Sequence, residues 1–236
     1  MITAGSGVRQ NDRVRIAVIG TGRMGTALAR QFAAAEHEVR IGSRDPARGR
    51  ERAAAAGADF GGSYWAAAAN AEVVVLAVPF HAVFDSLAQI GDVEGVVLVD
   101  PTNPPRDEDA EPEASCAEQI QAFVPEARVV KAWNHLYSAV VRRSAEFDGV
   151  AATLFVAGDD IGAKQLVERL ARDIGYEPVD AGPITSARYL EPLAALMTTL
   201  DRQASGEYVH ALKLLRRQRR PAAEQVPERL SPTWAD

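Results

Sequence analysis

The sequence predicts a doubly wound α/β fold built on a parallel sheet, and three observations carry that expectation. Apolar runs without alternation recur at residues 14–19, 73–78 (VVVLAV) and 96–99 (VVLV), the pattern of parallel strands covered on both faces. Stretches with helical spacing separate them, joined by short loops, so strand and helix alternate along the chain. A glycine-rich turn, 20–25 (GTGRMG), joins the first run to the first helix. The expected organisation is an extension over 1–13, a nucleotide-binding domain over 14–135, a smaller C-terminal α/β or helical domain over 136–220, and a tail over 221–236.

Taken in order, residues 14–19 form a short β-branched strand closed by Gly20. From 23 to 36 the apolar positions Met24, Ala27, Leu28, Phe32 and Ala35 keep helical spacing. Residues 39–41 make a second strand, and Pro46 suits the first turn of a second helix reaching Ala56. An edge strand is expected at 58–60 and a brief helix at 64–70. After the strand at 73–78, a helix over 80–90 places Val83, Leu87 and Ile90 on one face. The segment 101–112 (PTNPPRDEDAEP) cannot continue a helix, because its prolines lack the donor and restrict the backbone. Its acidic half reads as a solvated excursion. A helix around Ile120 leads to a strand at 128–132. Two more strands, 153–157 and 177–180, flank a helix capped at Asp159-Asp160, with Leu166, Val167, Leu170 and Ile174 on one side. Leu190, Leu193, Met197 and Leu200 then form a narrow seam suited to another helix or a second subunit, predicting a homodimer through the C-terminal helices. The basic run 213–220 is expected to be the solvated end of the last helix.

Composition narrows the function classes. The chain has 236 residues with 26 Lys plus Arg against 32 Asp plus Glu, a formal net charge of -6. Contact with many phosphates needs a basic face, so nucleic acid and anionic membrane surfaces are not expected partners. No apolar run approaches the roughly 20 residues of a membrane helix. Cys116 is the one cysteine, which excludes an internal disulfide and suits a reducing cytoplasm. With four histidines beside it, no metal site is expected. The start of the chain lacks the apolar middle of a secretion signal.

The turn at 20–25 fits G-x-G-x-x-G, and its place between a buried strand and a helix gives the pattern meaning. Gly20 makes the tight turn, Gly22 admits a pyrophosphate to the backbone, and Gly25 lets helix and strand pack closely. The helix N-terminus adds free N–H groups and partial positive charge. The whole loop, Gly20, Thr21, Gly22, Arg23, Met24 and Gly25, is therefore the expected cofactor contact. At the end of the second strand a site for NAD usually presents an acid to the ribose. This chain has Ser43-Arg44 there. A hydroxyl and a guanidinium suit a 2′-phosphate, which arginine grips with paired hydrogen bonds. Arg23 and Arg48 can converge on the same group, so NADP is the expected dinucleotide. Asp45 sits beside them as a carboxylate able to orient the guanidiniums.

Common catalytic patterns are absent: there is no G-x-S-x-G elbow, C-x-x-C pair, H-x-x-x-H pair or Tyr-x-x-x-Lys relay. What remains is a set of crevice candidates at the carboxyl ends of strands, where sheets of this type bind ligands. His81, just after the strand at 73–78, is either a titrating group or a surface histidine on a first helical turn. Asn103, Trp133, Asn134 and His135 complete the set; the last three bring an aromatic, an amide and an imidazole together.

Several stretches then fall in a recognisable order: GTGRMG, GSRDP, VVVLAVP, DPTNP, VVKAWNH, VAGDD and DAGPITSARYLEPLA. Between about residues 14 and 200 the chain resembles the family of NADPH-dependent coenzyme F-420 reductases. The resemblance implies a dinucleotide-binding domain followed by a small C-terminal domain, with hydride passing between NADP and a deazaflavin, coenzyme F-420, held in the crevice between them. It implies that Thr21, Arg23, Ser43, Arg44 and Arg48 hold the cofactor's phosphates and that Val78 and Pro79 back the nicotinamide. Hydride transfer of this kind needs position and electrostatics more than an acid or base. Where archaeal members have a histidine against the deazaflavin, this chain has Asn134, with His135 one position on.

Three functions stay open on the sequence. One is hydride exchange between NADPH and a deazaflavin. Another is NADPH-dependent reduction of a flavin, a ferric chelate or a small carbonyl or imine compound. The third is an NADP-binding regulator without turnover.

Overall fold

The computed structural model describes residues 13–105, 114–204 and 209–217. The expected extension (Arg13 apart), the acidic half of the 101–112 loop, and the tail lie outside the described residues.

The first six strands alternate with helices as expected. Strand β1 (Arg15–Ile19) leads into α1 (Arg23–Ala34), then come β2 (Glu38–Gly42), α2 (Pro46–Ala56), β3 (Phe60–Gly62) and α3 (Tyr64–Ala68). These are followed by β4 (Val73–Leu76), a 3₁₀ turn (Phe80–Ala82), α4 (Val83–Ile90), β5 (Val97–Asp100), α5 (Cys116–Phe123) and β6 (Arg128–Lys131). Strands β2, β1, β4, β5 and β6 lie side by side in that order, each parallel to the next, and β3 lies parallel on β2 at the edge. The edge strand begins two residues later than the sequence suggests, because Asp59 makes the preceding turn: its carboxylate accepts the Val39 N–H at 2.8 Å while its own N–H bonds the Val39 carbonyl.

Beyond β6 the chain makes α6 (Ser138–Arg143), a two-residue hairpin of β7 (Glu146–Phe147) with β8 (Val150–Ala151), then β9 (Thr153–Gly158), α7 (Ile161–Asp173) and β10 (Glu177–Gly182). The strands expected beyond residue 136 join the same sheet, whose order is β10-β9-β6-β5-β4-β1-β2-β3. Strand β9 meets β6 antiparallel and carries β10 parallel to itself. A helical part follows, a 3₁₀ turn (Ile184–Ser186) and α8 (Ala187–Gln203). Two apolar clusters fill the two faces, one around Ile16, Phe32, Val75, Trp133 and Leu154, the other around Ile19, Leu76, Leu98 and Ile120. Among the described residues no helix is long and apolar enough to cross a membrane.

Two expectations need correction. Lys213 does not end the last helix: α8 stops at Gln203, and residues 209–217 are not helical. That segment runs past the start of β9, where Thr153 N–H bonds the Leu212 carbonyl at 2.7 Å and Leu214 N–H bonds Thr153 Oγ1 at 2.9 Å. The seam on α8 is also rotated. Leu190 and Met197 are buried within the chain, whereas Tyr189 (79% exposed), Leu196 (54%) and Leu200 (39%) face outward, with half-buried Leu193 between them.

Candidate functional site

In the strand order β1 and β4 lie side by side, although β2 and β3 intervene in sequence and lie beyond β1. The sheet order reverses there, which opens a crevice beyond the carboxyl ends of the strands. All the turns named from the sequence leave at that edge: 20–25 after β1, Ser43-Arg44 after β2, Val78-Pro79 after β4, Asn103 after β5 and residues 133–135 after β6.

The glycine loop meets three different demands. Gly20 has φ 120°, and a Cβ there would stand 2.3 Å from the Ala77 carbonyl oxygen. Gly25 would bring a Cβ to 2.4 Å from the Gly20 oxygen, so α1 lies directly on its own turn. Gly22 meets nothing within 4 Å. No side chain caps α1 at Gly22, and no acid occupies its first turn. The protein itself places no demand for glycine at 22; a pyrophosphate on the exposed N–H groups would. Thr21 is half-buried, and Met24 packs on the core beneath the loop.

At the end of β2, Ser43 is buried and its Oγ accepts the Asp45 N–H at 3.2 Å. Asp45 caps α2 by accepting the Ala47 N–H at 2.9 Å. Its carboxylate is thus used by the helix, and no ion pair links it to an arginine among the described residues. Arg23, Arg44 and Arg48 are exposed and likewise free of ion pairs there. An open helix N-terminus and three unpaired guanidiniums fit a dinucleotide bearing an extra phosphate. Half-buried Val78 and exposed Pro79 form the rim between this loop and β5.

The five crevice candidates separate. His81 is exposed on the 3₁₀ turn after β4. Asn103 and Asn134 clasp one another: Asn134 Nδ2 donates to Asn103 Oδ1 at 3.0 Å, and Asn103 Nδ2 donates to the Asn134 carbonyl at 2.8 Å. Asn134 Nδ2 also donates to the Leu190 carbonyl of α8 at 2.7 Å. Trp133 is fully buried with φ 59°, its ring edge-on to Phe32 of α1 at 5.7 Å. His135 is buried against Phe155, with Nε2 3.4 Å from the Thr153 carbonyl. Burial pushes its pKa down to about 4, so the ring is neutral at physiological pH.

Sequence reasoning passed over the cluster beneath the Asn pair. Lys131, fully buried, donates from Nζ to Asp100 Oδ2 (2.9 Å), the Thr102 carbonyl (2.6 Å) and Glu191 Oε1 (2.6 Å). All three of its donors are used. Glu191 also accepts the Cys116 N–H at the start of α5, at 2.9 and 3.2 Å. Burial works against the Lys131 charge, but the two carboxylates outweigh it and raise the pKa. Burial raises the Glu191 carboxyl despite Lys131, and pushes the Cys116 thiol up to about 12, leaving it inert. The available signal was a lone lysine ending an apolar strand, VVKAW, with its partners inside DPTNP and YLEPLA. Outside the cluster, Arg188 of α8 grips Glu118 of α5 with two bonds of 2.8 Å.

Comparison with known proteins adds to this geometry. The family model described as NADP oxidoreductase coenzyme F420-dependent matches residues 15–104. The chain is 35% identical over 210 residues to the F420-dependent NADP reductase of Methanothermobacter thermautotrophicus, covering 80% of this chain and 89% of that protein. It is 32% identical over 180 residues to Metalloreductase STEAP3 of Rattus norvegicus, 76% of this chain but only 36% of that protein's length. Among solved structures, a candidate F420 dependent NADP-reductase from Arthrobacter sp. FB24 superposes with a TM-score of 0.77 at 31% identity, covering 86% of this chain and all of that one. A reductive aminase from Aspergillus terreus shares the fold, with a TM-score of 0.60 at 20% identity, covering 82% of this chain and 63% of that one.

Proposed function

Because the chain belongs to the family of F420-dependent NADP oxidoreductases, we propose that this NADP-dependent oxidoreductase exchanges hydride with a deazaflavin, coenzyme F-420, bound against the Asn103–Asn134 wall. The observation that carries the reading is the division of one sheet edge into a phosphate half and an amide half. On the β1–β2 side, Gly20, Thr21, Gly22, Arg23, Met24 and Gly25 present the α1 N–H groups to a pyrophosphate. Ser43, Arg44 and Arg48 take the 2′-phosphate, and the unpaired guanidiniums support NADP over NAD. When bound, the nicotinamide supplies the hydride. Val78 and Pro79 would back that ring beside the carboxyl ends of β5 and β6.

Among the described residues, the candidates after β6 offer the acceptor no acid or base. His135 is buried and neutral and Trp133 is turned into the core, so the chain contributes orientation and exclusion of water. Two copies associate through the outward stripe of α8, Tyr189, Leu193, Leu196 and Leu200, a surface able to pair with itself about a two-fold axis. One free cysteine suits a reducing cytoplasm.

The test is an anaerobic absorbance assay with NADPH and oxidised coenzyme F-420. Loss of the deazaflavin band in proportion to enzyme is the expected result; no loss with NADPH still bound would reject the deazaflavin. The likeness to a metalloreductase supports a second reading, reduction of a ferric chelate, and ferric citrate in the same assay distinguishes the two.

A further inference from the structure

The buried Lys131 cluster touches none of the groups assigned to the cofactor, yet every element around the amide half of the crevice meets there. Its ammonium joins β6, which it ends, to Asp100 at the end of β5, to the loop carbonyl of Thr102 and to Glu191 of α8. Glu191 adds the first turn of α5 through the Cys116 N–H. We propose that Glu191 is a positioning residue for the acceptor crevice, setting the Asn103–Asn134 clasp through Lys131 on one side and through its own helix backbone on the other.

The path is short on both sides. Glu191 Oε1 holds Lys131 Nζ at 2.6 Å, Lys131 holds the Thr102 carbonyl at 2.6 Å, and Thr102 immediately precedes Asn103. Asp100 tightens the same loop by accepting both Lys131 Nζ (2.9 Å) and the Thr102 N–H (2.8 Å). Leu190, one residue before Glu191, offers its carbonyl to Asn134 Nδ2. Fixing Glu191 therefore fixes both amides that face one another. Charged hydrogen bonds in a buried site hold such a register tightly, because an ammonium that loses one of three acceptors there is left with an unsatisfied donor.

Arg188–Glu118 is the natural control. It ties the same two helices, α8 and α5, from the surface and touches neither Lys131 nor the amides. A device that merely glued α8 down would give the same response at both places.

This inference rests on the proposed crevice for its meaning but is tested without the acceptor. In ligand-free protein, side-chain amide signals of Asn134 and Asn103 are followed by NMR in the wild type, Glu191→Gln, Glu191→Ala and Arg188→Ala. Glutamine keeps the shape and one acceptor oxygen, so that variant tests the contact without opening a cavity. The expected result is loss of Asn134 side-chain exchange protection by about tenfold in Glu191→Gln and more in Glu191→Ala, on the scale of one net hydrogen bond. Backbone amides of β4 and the whole Arg188→Ala protein keep their protection. Unchanged Asn134 signals in Glu191→Gln, or an equal loss in Arg188→Ala, would overturn the assignment. A second readout separates kinetics: Glu191→Gln should bind NADPH within about twofold of wild type while KM for coenzyme F-420 rises about tenfold. If coenzyme F-420 is not turned over by the wild type, the deazaflavin reading fails and the NMR result still decides the role of Glu191.

Discussion

Gly22 and Gly25 stand three residues apart in one loop and are glycine for opposite reasons. A methyl at 25 would strike the Gly20 oxygen, whereas a methyl at 22 would point into open space. Gly25→Ala is therefore expected to cost about 1–3 kcal/mol of stability through overpacking, read as a lower unfolding midpoint. Gly22→Ala should keep the wild-type midpoint and lose NADPH affinity, as titration of nucleotide fluorescence would reveal. Arg44 is exposed and unpaired, so Arg44→Ala should leave stability unchanged. It should weaken NADPH binding by about 1.5–3 kcal/mol, the scale of hydrogen bonds to a charged group, and NADH binding hardly at all. Equal losses for both nucleotides would remove the 2′-phosphate assignment. At this scale the glycine turn and the exposed arginines beside it were legible because they depend on local sequence. Burial of Trp133 and His135 was not, since it depends on where Phe32 and Phe155, distant in sequence, come to lie.

Helix α8 shows what periodicity can and cannot resolve. Steps of three and four are shared by two adjacent stripes, Leu190–Met197 and Tyr189–Leu196–Leu200, about a 100° turn apart. Both are apolar enough to bury. The polar contacts choose between them: Glu191 must reach Lys131 and the Leu190 carbonyl must reach Asn134, which turns the first stripe inward. The second is left outside, as the surface proposed for a partner copy. Leu196→Glu is expected to convert a dimer into a monomer in light scattering with its circular dichroism unchanged, and a wild-type monomer at micromolar concentration would reject the interface. Asp45 was visible as a carboxylate among arginines, yet α2 claims it as a cap. An acid next to a helix start and an acid orienting guanidiniums look alike in one dimension.

Across the whole molecule, stability should fall on mild acidification. Burial between the end of β6 and β9 lowers the His135 pKa from 6.5 to about 4, while unfolded chain exposes the ring to water. The folded state therefore binds this proton less readily than the unfolded state. Its contribution is complete above pH 6.5 and lost progressively as pH drops toward 4, by about 3 kcal/mol in all. His37, buried and also lowered chiefly by burial, acts in the same direction. Urea midpoints measured between pH 7 and 4.5 should fall steeply in the wild type and less in His135→Gln; identical slopes would place His135 in water.

Local sequence suffices for the alternation of strands and helices, the glycine turn, and the arginines at the end of β2. Each of these is written in neighbours within a few residues, where apolar period, backbone freedom and charge act locally. Long-range packing settled the rest. It reversed β9 against β6, turned α8 by one stripe, and closed Asp100, Lys131 and Glu191 around a single ammonium. The charged cluster alone joins residues 31 to 91 positions apart, competing for the same buried space and the same donors. No local pattern records which competitor wins, because the energy of a buried charge is set by everything that surrounds it.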